Sequence, residues 1–261
     1  MPASALMNVM MAAVRKAGRG LARDYGEVGN LQVSVKGPAN FVTAADMRAE
    51  ETLFRELSKA RQGYCFLMEE RGRVEGSDKT HCWIVDPLDG TTNFMHGIPL
   101  FAISVALQRE DEIVAAVIYN PAMDELYTAE KGKGAFLNDR RLRVAARRTL
   151  EDAVIATGIP NRGREGHRRF LSQCELMMRE TAGIRRNGAA ALDLAWVAAG
   201  RFDGFWDHNL KPWDIAAGAL LVQEAGGLVT GMDGKGDMLE SGSVIAGNNY
   251  IQKHIQNLLK V

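Results

Sequence analysis

Residues 83–97 read Trp83-Ile-Val-Asp-Pro-Leu-Asp-Gly-Thr-Thr-Asn-Phe-Met-His-Gly97, and the apolar run that opens them ends in two aspartates three positions apart. A buried strand that finishes on negative charge is costly unless something positive meets it. Pro87 fixes φ and removes an N–H, so strand pairing is expected to stop there. The turn it starts aims Asp86 and Asp89, with the Leu88 carbonyl between them, at one point. Hard oxygens of this kind suit Mg²⁺. An aspartate in a post-strand turn also accepts backbone N–H bonds, and from this stretch alone both readings stand.

Working outward, Glu69-Glu70 also follows directly on an apolar run, residues 64–68. Two neighbouring strands that each end in acid bring together charges that repel strongly without a cation; the alternative for Glu69 is an exposed loop acid. Lys211-Pro-Trp-Asp214 precedes an apolar helical stretch, where Asp214 is either a helix N-cap or a fourth carboxylate turned into a cleft. Gly90 permits a ligand to approach the backbone closely. A helix beginning at Thr91-Thr92 would offer free N–H groups to a phosphate, and a plain Gly-Thr turn is the other reading. Cations about 4 Å apart, bridged by carboxylates beside an anion cradle, make a two-metal phosphate-ester hydrolase.

The rest of the chain is consistent with that chemistry. Its 261 residues are 46% apolar and 25% charged, enough to bury a core. Lys+Arg and Asp+Glu both number 32, so no overall positive field gathers nucleic acid or anionic membrane. Cys65, Cys82 and Cys174 lack CxxC spacing and are expected as reduced core thiols. The N-terminal apolar stretch lacks a preceding basic segment and reads as an amphipathic helix, not a signal peptide. No run approaches the ~18 apolar residues of a membrane span. The expectation is a soluble, cytoplasmic protein.

Helices are expected over 3–25, closed by Gly26 and Gly29-Asn30, and over 43–60, capped by Thr43. Strand-like runs at 64–68, 82–85, 100–107, 113–119 and 125–129 imply an antiparallel sheet flanked by helices. From about 152 onward strands and helices alternate, with helices near 164–181, 189–199, 213–225 and 249–259. The expected organisation is residues 1–150, helices plus the sheet carrying the main metal site, and residues 151–261, an alternating α/β half that closes the active site. The two halves share one interface and count as one domain or two.

Five pieces of the sequence together are similar to the inositol monophosphatase family, especially its bacterial members. They are Asn40-Phe-Val-Thr-Ala-Ala-Asp46, Met68-Glu-Glu70, residues 83–93, Asn187-Gly-Ala-Ala-Ala-Leu-Asp193, and Lys211-Pro-Trp-Asp214 with Glu224-Ala-Gly-Gly227. The resemblance covers nearly the whole chain and implies a mixed α/β, layered α-β-α-β-α sandwich of the sugar phosphatase type, a homodimer, and inhibition by lithium. It implies that Glu69, Asp86, the Leu88 carbonyl, Asp89 and Asp214 bind two or three Mg²⁺ ions, and that Gly90 and Thr91 amides hold the phosphate. Glu69 with Thr91 would position the attacking water, with Asp46 and Thr43 behind Thr91. Asp89, Gly90, Thr91, Ala190, Asp207 and Asp214 would face the substrate.

Departures bear on the substrate. The family typically carries Asp where Asn40 stands, which puts the outermost cation site in question. Its inositol enzymes usually place Glu where Asp207 stands, and the acid here is one methylene shorter. Asp193 is expected on a helix face behind the site, and Lys36 in a loop, either solvated or at the site's mouth. No histidine has metal-ligand spacing, and all five are expected to be structural or exposed, His96 being the nearest to the motif. The implied activity is hydrolysis of inositol 1-phosphate or another small polyol or sugar phosphate. Fructose 1,6-bisphosphate and a nucleotide-linked phosphate are the alternatives, for which Arg185, Arg186 and Lys211 are candidate extra cations. A different class of reading is a transcription- or RNA-associated regulatory protein on this fold, for which the sequence contains no direct signal.

Overall fold

The computed structural model describes residues 3–27, 33–37, 40–235 and 238–260, with the backbone alone for 33–37 and 40–42. Helix α1 (Ala5–Tyr25) starts where the Ser4 hydroxyl accepts the Met7 N–H at 3.1 Å and ends at Gly26. Gly29-Asn30, expected to help close it, lies outside the described residues. A hairpin, β1 (Val33–Gly37) and β2 (Asn40–Thr43), leads into α2 (Ala44–Ala60). Thr43 caps that helix in a reciprocal box with Asp46. Lys36, expected in a loop, falls within β1.

An eight-stranded sheet follows: β3 (Cys65–Met68), β4 (Gly72–Val74), β5 (His81–Asp89), then, after the short helix α3 (Thr91–Met95), β6 (Ala102–Arg109), β7 (Glu112–Asn120), β8 (Glu125–Glu130), β9 (Gly134–Leu137) and β10 (Arg140–Arg141). Its order is β10-β9-β8-β7-β6-β5-β3-β4. The expected antiparallel sheet is corrected at one pair: β3 and β5 run parallel, because β4 occupies the outer side of β3 and the chain returns along the inner side. Strands β6 and β7 are buried on both faces, as continuous apolar runs require. One face sets Trp83, Val85, Ile103, Val105 and Leu107 against α1 and α2. The other is built from smaller residues, Ala102, Ala106, Ala116 and Ala129, and packs on two helices of the second half.

That half comprises β11 (Val154–Thr157), α4 (His167–Glu180), β12 (Gly183–Arg185), α5 (Ala190–Ala198), β13 (Gly204–Asp207), α6 (Pro212–Glu224), β14 (Leu228–Thr230), α7 (Met238–Ser241), β15 (Val244–Gly247) and α8 (Ile251–Leu258). Its five strands order as β12-β11-β13-β15-β14. Phe205 on β13 faces the core that holds α5 and α6, whereas Trp206 faces Met177 of α4 and Ile251 and Ile255 of α8. The layers are therefore α1/α2, eight strands, α5/α6, five strands, α4/α8, the expected α-β-α-β-α sandwich. Glu224, at the end of α6, ties the middle layer to the first sheet by accepting the Gly132 and Gly134 N–H groups at 2.7 Å each.

Two further expectations are corrected. Pro87 does not stop β5; pairing with β6 resumes at Asp89, with an irregularity between Asp86 (opposite Ser104) and Asp89 (opposite Ala102). Cys65 and Cys82, expected as reduced thiols, are register partners on β3 and β5 with Cα atoms 4.5 Å apart, and form a disulfide. The 17-residue separation gives no sign of that neighbourhood. Cys174 is free and partly buried. Among the described residues no helix is long and apolar enough to cross a membrane.

Candidate active site

The bulge at Pro87-Leu88 decides where the acids point. Between the Asp86 and Asp89 pairs, two residues of β5, Pro87 and Leu88, lie opposite one of β6, Ile103. In a regular strand, residues three apart face opposite sides; one extra residue returns Asp89 to the face of Asp86. Leu88 is thrown the other way, into the α1/α2 core. Asp86 and Asp89 thus meet the N-terminus of α6, where Asp214 lies in the first turn with its carboxylate accepting the Lys211 N–H at 2.7 Å. The N-cap alternative is corrected: Lys211 is the N-cap, and Asp214, at the third position of the helix, bonds back to it and enters the cluster. Oxygens of Asp86, Asp89 and Asp214 all lie within 4.8 Å of one another.

Each acid is anchored. Asp86 accepts the Leu88 N–H at 2.9 Å, and Asp89 accepts the Ala191 N–H at 2.7 Å from the first turn of α5. Burial, then the neighbouring charges of Glu69, Asp89 and Asp214, pushes the Asp86 carboxyl well above its usual range. Burial and Asp214 do the same to Asp89. Burial moves Asp214 up to about 6. An all-oxygen set of crowded acids fits a hard divalent cation, which would supply the missing positive charge.

Glu69 lines the same cavity, its N–H bonded to the Val85 carbonyl at 3.2 Å. Thr91 Oγ1 lies 3.1 Å from both Asp46 Oδ1 and the Leu88 carbonyl oxygen. Thr43 Oγ1 and its N–H both bond Asp46 Oδ2. Asp46 is fully buried, and burial raises its carboxyl above the ordinary value. Gly90 has φ +90°, and a Cβ there would sit 2.9 Å from the Leu100 carbonyl oxygen. Only glycine lets the turn into α3 lie this close to Leu100 and Phe101, which lead into β6.

The cavity is about 240 Å³, below the roughly 300–1,000 Å³ of drug-sized sites. Ala190, Asp193 and Asp207 line its far wall. Burial pushes Asp207 up to about 7, and its Oδ1 accepts the His208 N–H at 2.7 Å. A Cβ on Gly158 would fall 2.0 Å from Asp207 Oδ2, so the loop after β11 passes the acid only as glycine. Asp193 is buried, bonded by Asn187 at 2.8 Å, and raised by burial. Arg186 lines the cavity, whereas Arg185 and Lys211 are exposed outside it. His96 is exposed at the end of α3. The Asn40 and Lys36 side chains lie outside the described atoms.

Three contributors escaped the sequence. His208 lines the cavity and bonds Gln173 and Ser243, each 35 positions away. Gly158 carries no motif. Asn93 clamps α3 to the approach of α5 by donating to the Leu100 and Asn187 carbonyls at 2.7 Å each.

A sequence model of the Inositol monophosphatase family matches residues 3–260. An inositol-1-monophosphatase of Mesorhizobium japonicum is 64% identical over 260 residues, covering 100% of this chain and 98% of that one. A Pseudomonas aeruginosa protein named Nus factor SuhB is 43% identical, with 98% of each chain covered. The crystal structure of the extragenic suppressor protein suhB from Bartonella henselae superposes with a TM-score of 0.96 at 59% identity, over 98% of this chain and 99% of that one. The carboxylate cluster and five-layer fold thus stand in a chain that belongs to the inositol monophosphatase family of phosphoric monoester hydrolases.

Proposed function

We propose that the protein hydrolyses a small polyol or sugar phosphate monoester, with inositol 1-phosphate as first candidate, using Mg²⁺ held by Glu69, Asp86, the Leu88 carbonyl, Asp89 and Asp214. The convergence of Asp86, Asp89 and Asp214 within 4.8 Å carries the reading. Bound there, Mg²⁺ supplies charge neutralisation at the phosphate and an acidified water. Glu69 and the Thr91 hydroxyl orient that water. Asp46 fixes Thr91, and Thr43 fixes Asp46. Gly90 and Thr91 amides face the phosphate oxygens. On the far wall Asp207 accepts a ring hydroxyl beside Ala190. Two or three ions per site, a homodimer, sensitivity to lithium and a cytoplasmic setting belong to the same proposal.

Phosphate release from inositol 1-phosphate, other sugar monophosphates and fructose 1,6-bisphosphate, with Mg²⁺ titrated, tests it. Mg²⁺-dependent release is expected, falling to background in Asp89→Asn. No release by folded wild-type protein sinks the reading. The relative named a Nus factor motivates a second one, a role in transcription. Capture of transcription proteins equally by wild type and Asp89→Asn would show a role that does not need the metal site.

A further inference from the structure

Glu50 is 1% exposed, lines no part of the cavity, and has no part in the chemistry described above. One turn beyond Asp46, it interrupts the inner face of α2 among Ala45, Ala49, Leu53 and Leu57. Packing alone gives no reason for a carboxylate there, and burial raises its value above the ordinary one. What it touches is the loop after β3. Its Oε2 accepts the Glu70 N–H at 2.9 Å and the Arg71 N–H at 3.3 Å, and its Oε1 lies 3.5 Å from Arg71 Nε. The preceding N–H, that of Glu69, donates to Val85 of β5. Three successive amides of this loop are therefore fixed, one by β5 and two by Glu50. Arg71 reinforces the attachment through Glu51 at 2.5 Å and by stacking 4.4 Å over the Phe54 ring, both on α2.

We propose that Glu50 is a positioning residue that holds the Glu69 carboxylate where the metal cluster needs it. Asp46 on the same helix holds Thr91. Through two buried acids one turn apart, α2 then sets the spacing between Glu69 and Thr91, the pair that orients the water. The inference rests on the proposed metal reading.

Reach and charge separate this role from a general electrostatic one. Glu50→Gln keeps an acceptor oxygen at the two amides and loses the charge; Glu50→Asp keeps the charge and withdraws it by one methylene. The measurement is Mn²⁺ affinity by calorimetry without substrate, followed by the Mg²⁺ half-saturation and kcat. Asp203→Asn is the control, because Asp203 is equally buried, accepts the Val154 N–H at 2.8 Å, and lies outside the site. Glu50→Asp is expected to weaken Mn²⁺ binding about tenfold, as loss of groups that orient metal ligands does. Glu50→Gln should stay within about threefold, and Asp203→Asn should lose melting temperature with unchanged affinity. Wild-type affinity in Glu50→Asp, or weaker binding by Glu50→Gln than by Glu50→Asp, overturns the proposal. If Glu50→Asp does not fold, a tenfold loss in Glu50→Gln overturns it. Absence of Mn²⁺ binding by the wild type overturns this and the metal reading together.

Discussion

His208 stands in the cavity wall as a neutral imidazole. With Gln173 Oε1 as acceptor at 3.0 Å, Nε2 carries the hydrogen and Nδ1 accepts from Ser243 Oγ at 3.3 Å. Burial, aided by the Arg169 charge, pulls its value from 6.5 down to about 4. The unfolded chain takes up this proton first, so the residue's contribution is intact above pH 6.5 and is lost as pH falls toward 4. His208→Asn should lower the melting temperature at pH 7.5 and flatten its decline between pH 6.5 and 4. Parallel melting curves for the two proteins would remove His208 from the acid sensitivity. At this scale legibility followed local spacing. Asp86, Asp89 and Thr91 lie within six positions, and their residue types name their chemistry. His208 acquires its meaning from Gln173 and Ser243, brought to it by tertiary packing. Glu50 and Gly158 likewise depend on what arrives opposite them.

Among elements, helices were the most legible, because caps and apolar periodicity are local: Thr43 opened α2 as expected, and Lys211-Pro-Trp-Asp214 marked the start of α6. Strands were harder. Pro87 carried a true local signal, an interrupted ladder, but the partner strand absorbed it as a bulge. The parallel β3–β5 pairing, and the disulfide it brings together, came from where β4 folded. Helix–helix packing was not legible at all. Gly218, in the middle of α6, would place a Cβ 2.5 Å from the Leu194 Cβ of α5, so the two middle-layer helices touch nearly backbone to backbone. Gly218→Ala should destabilise the fold by about 1–3 kcal/mol, despite the gain in helix propensity. Leu194→Ala alone should cost about 2–5 kcal/mol. Leu194→Ala removes the Cδ1 and Cγ atoms that a Gly218 Cβ would meet at 2.7 and 3.1 Å, though not the Cβ, and the added methyl partly fills the space left, so the double variant should lose less than the sum. Additive losses in denaturant titrations would mean that this contact is not where α5 and α6 are fitted.

For the molecule as a whole, the chain order conceals the shared middle layer. The division at about residue 150 follows the change from a strand-rich to an alternating pattern, and the two sheets do fall on either side of it. Yet α5 and α6 bury their faces against both sheets within one apolar cluster, and the site draws Asp86 and Asp89 from one side and Asp214 from the other. A molecule built this way should unfold as a single cooperative unit, with metal binding acting on that one transition. The pH dependence follows from the acids. Their folded values are raised, so in metal-free protein they favour the fold at low pH and lose that contribution as pH climbs through those values, about 6 for Asp214. Mg²⁺ binds the ionised carboxylates and offsets the loss. Calorimetry should therefore show one transition whose Mg²⁺-induced rise grows from pH 5 to pH 8 and is absent in Asp89→Asn. Two separated transitions would make residues 1–150 and 151–261 independent units. A Mg²⁺ shift that ignores pH would place the ion away from these carboxylates.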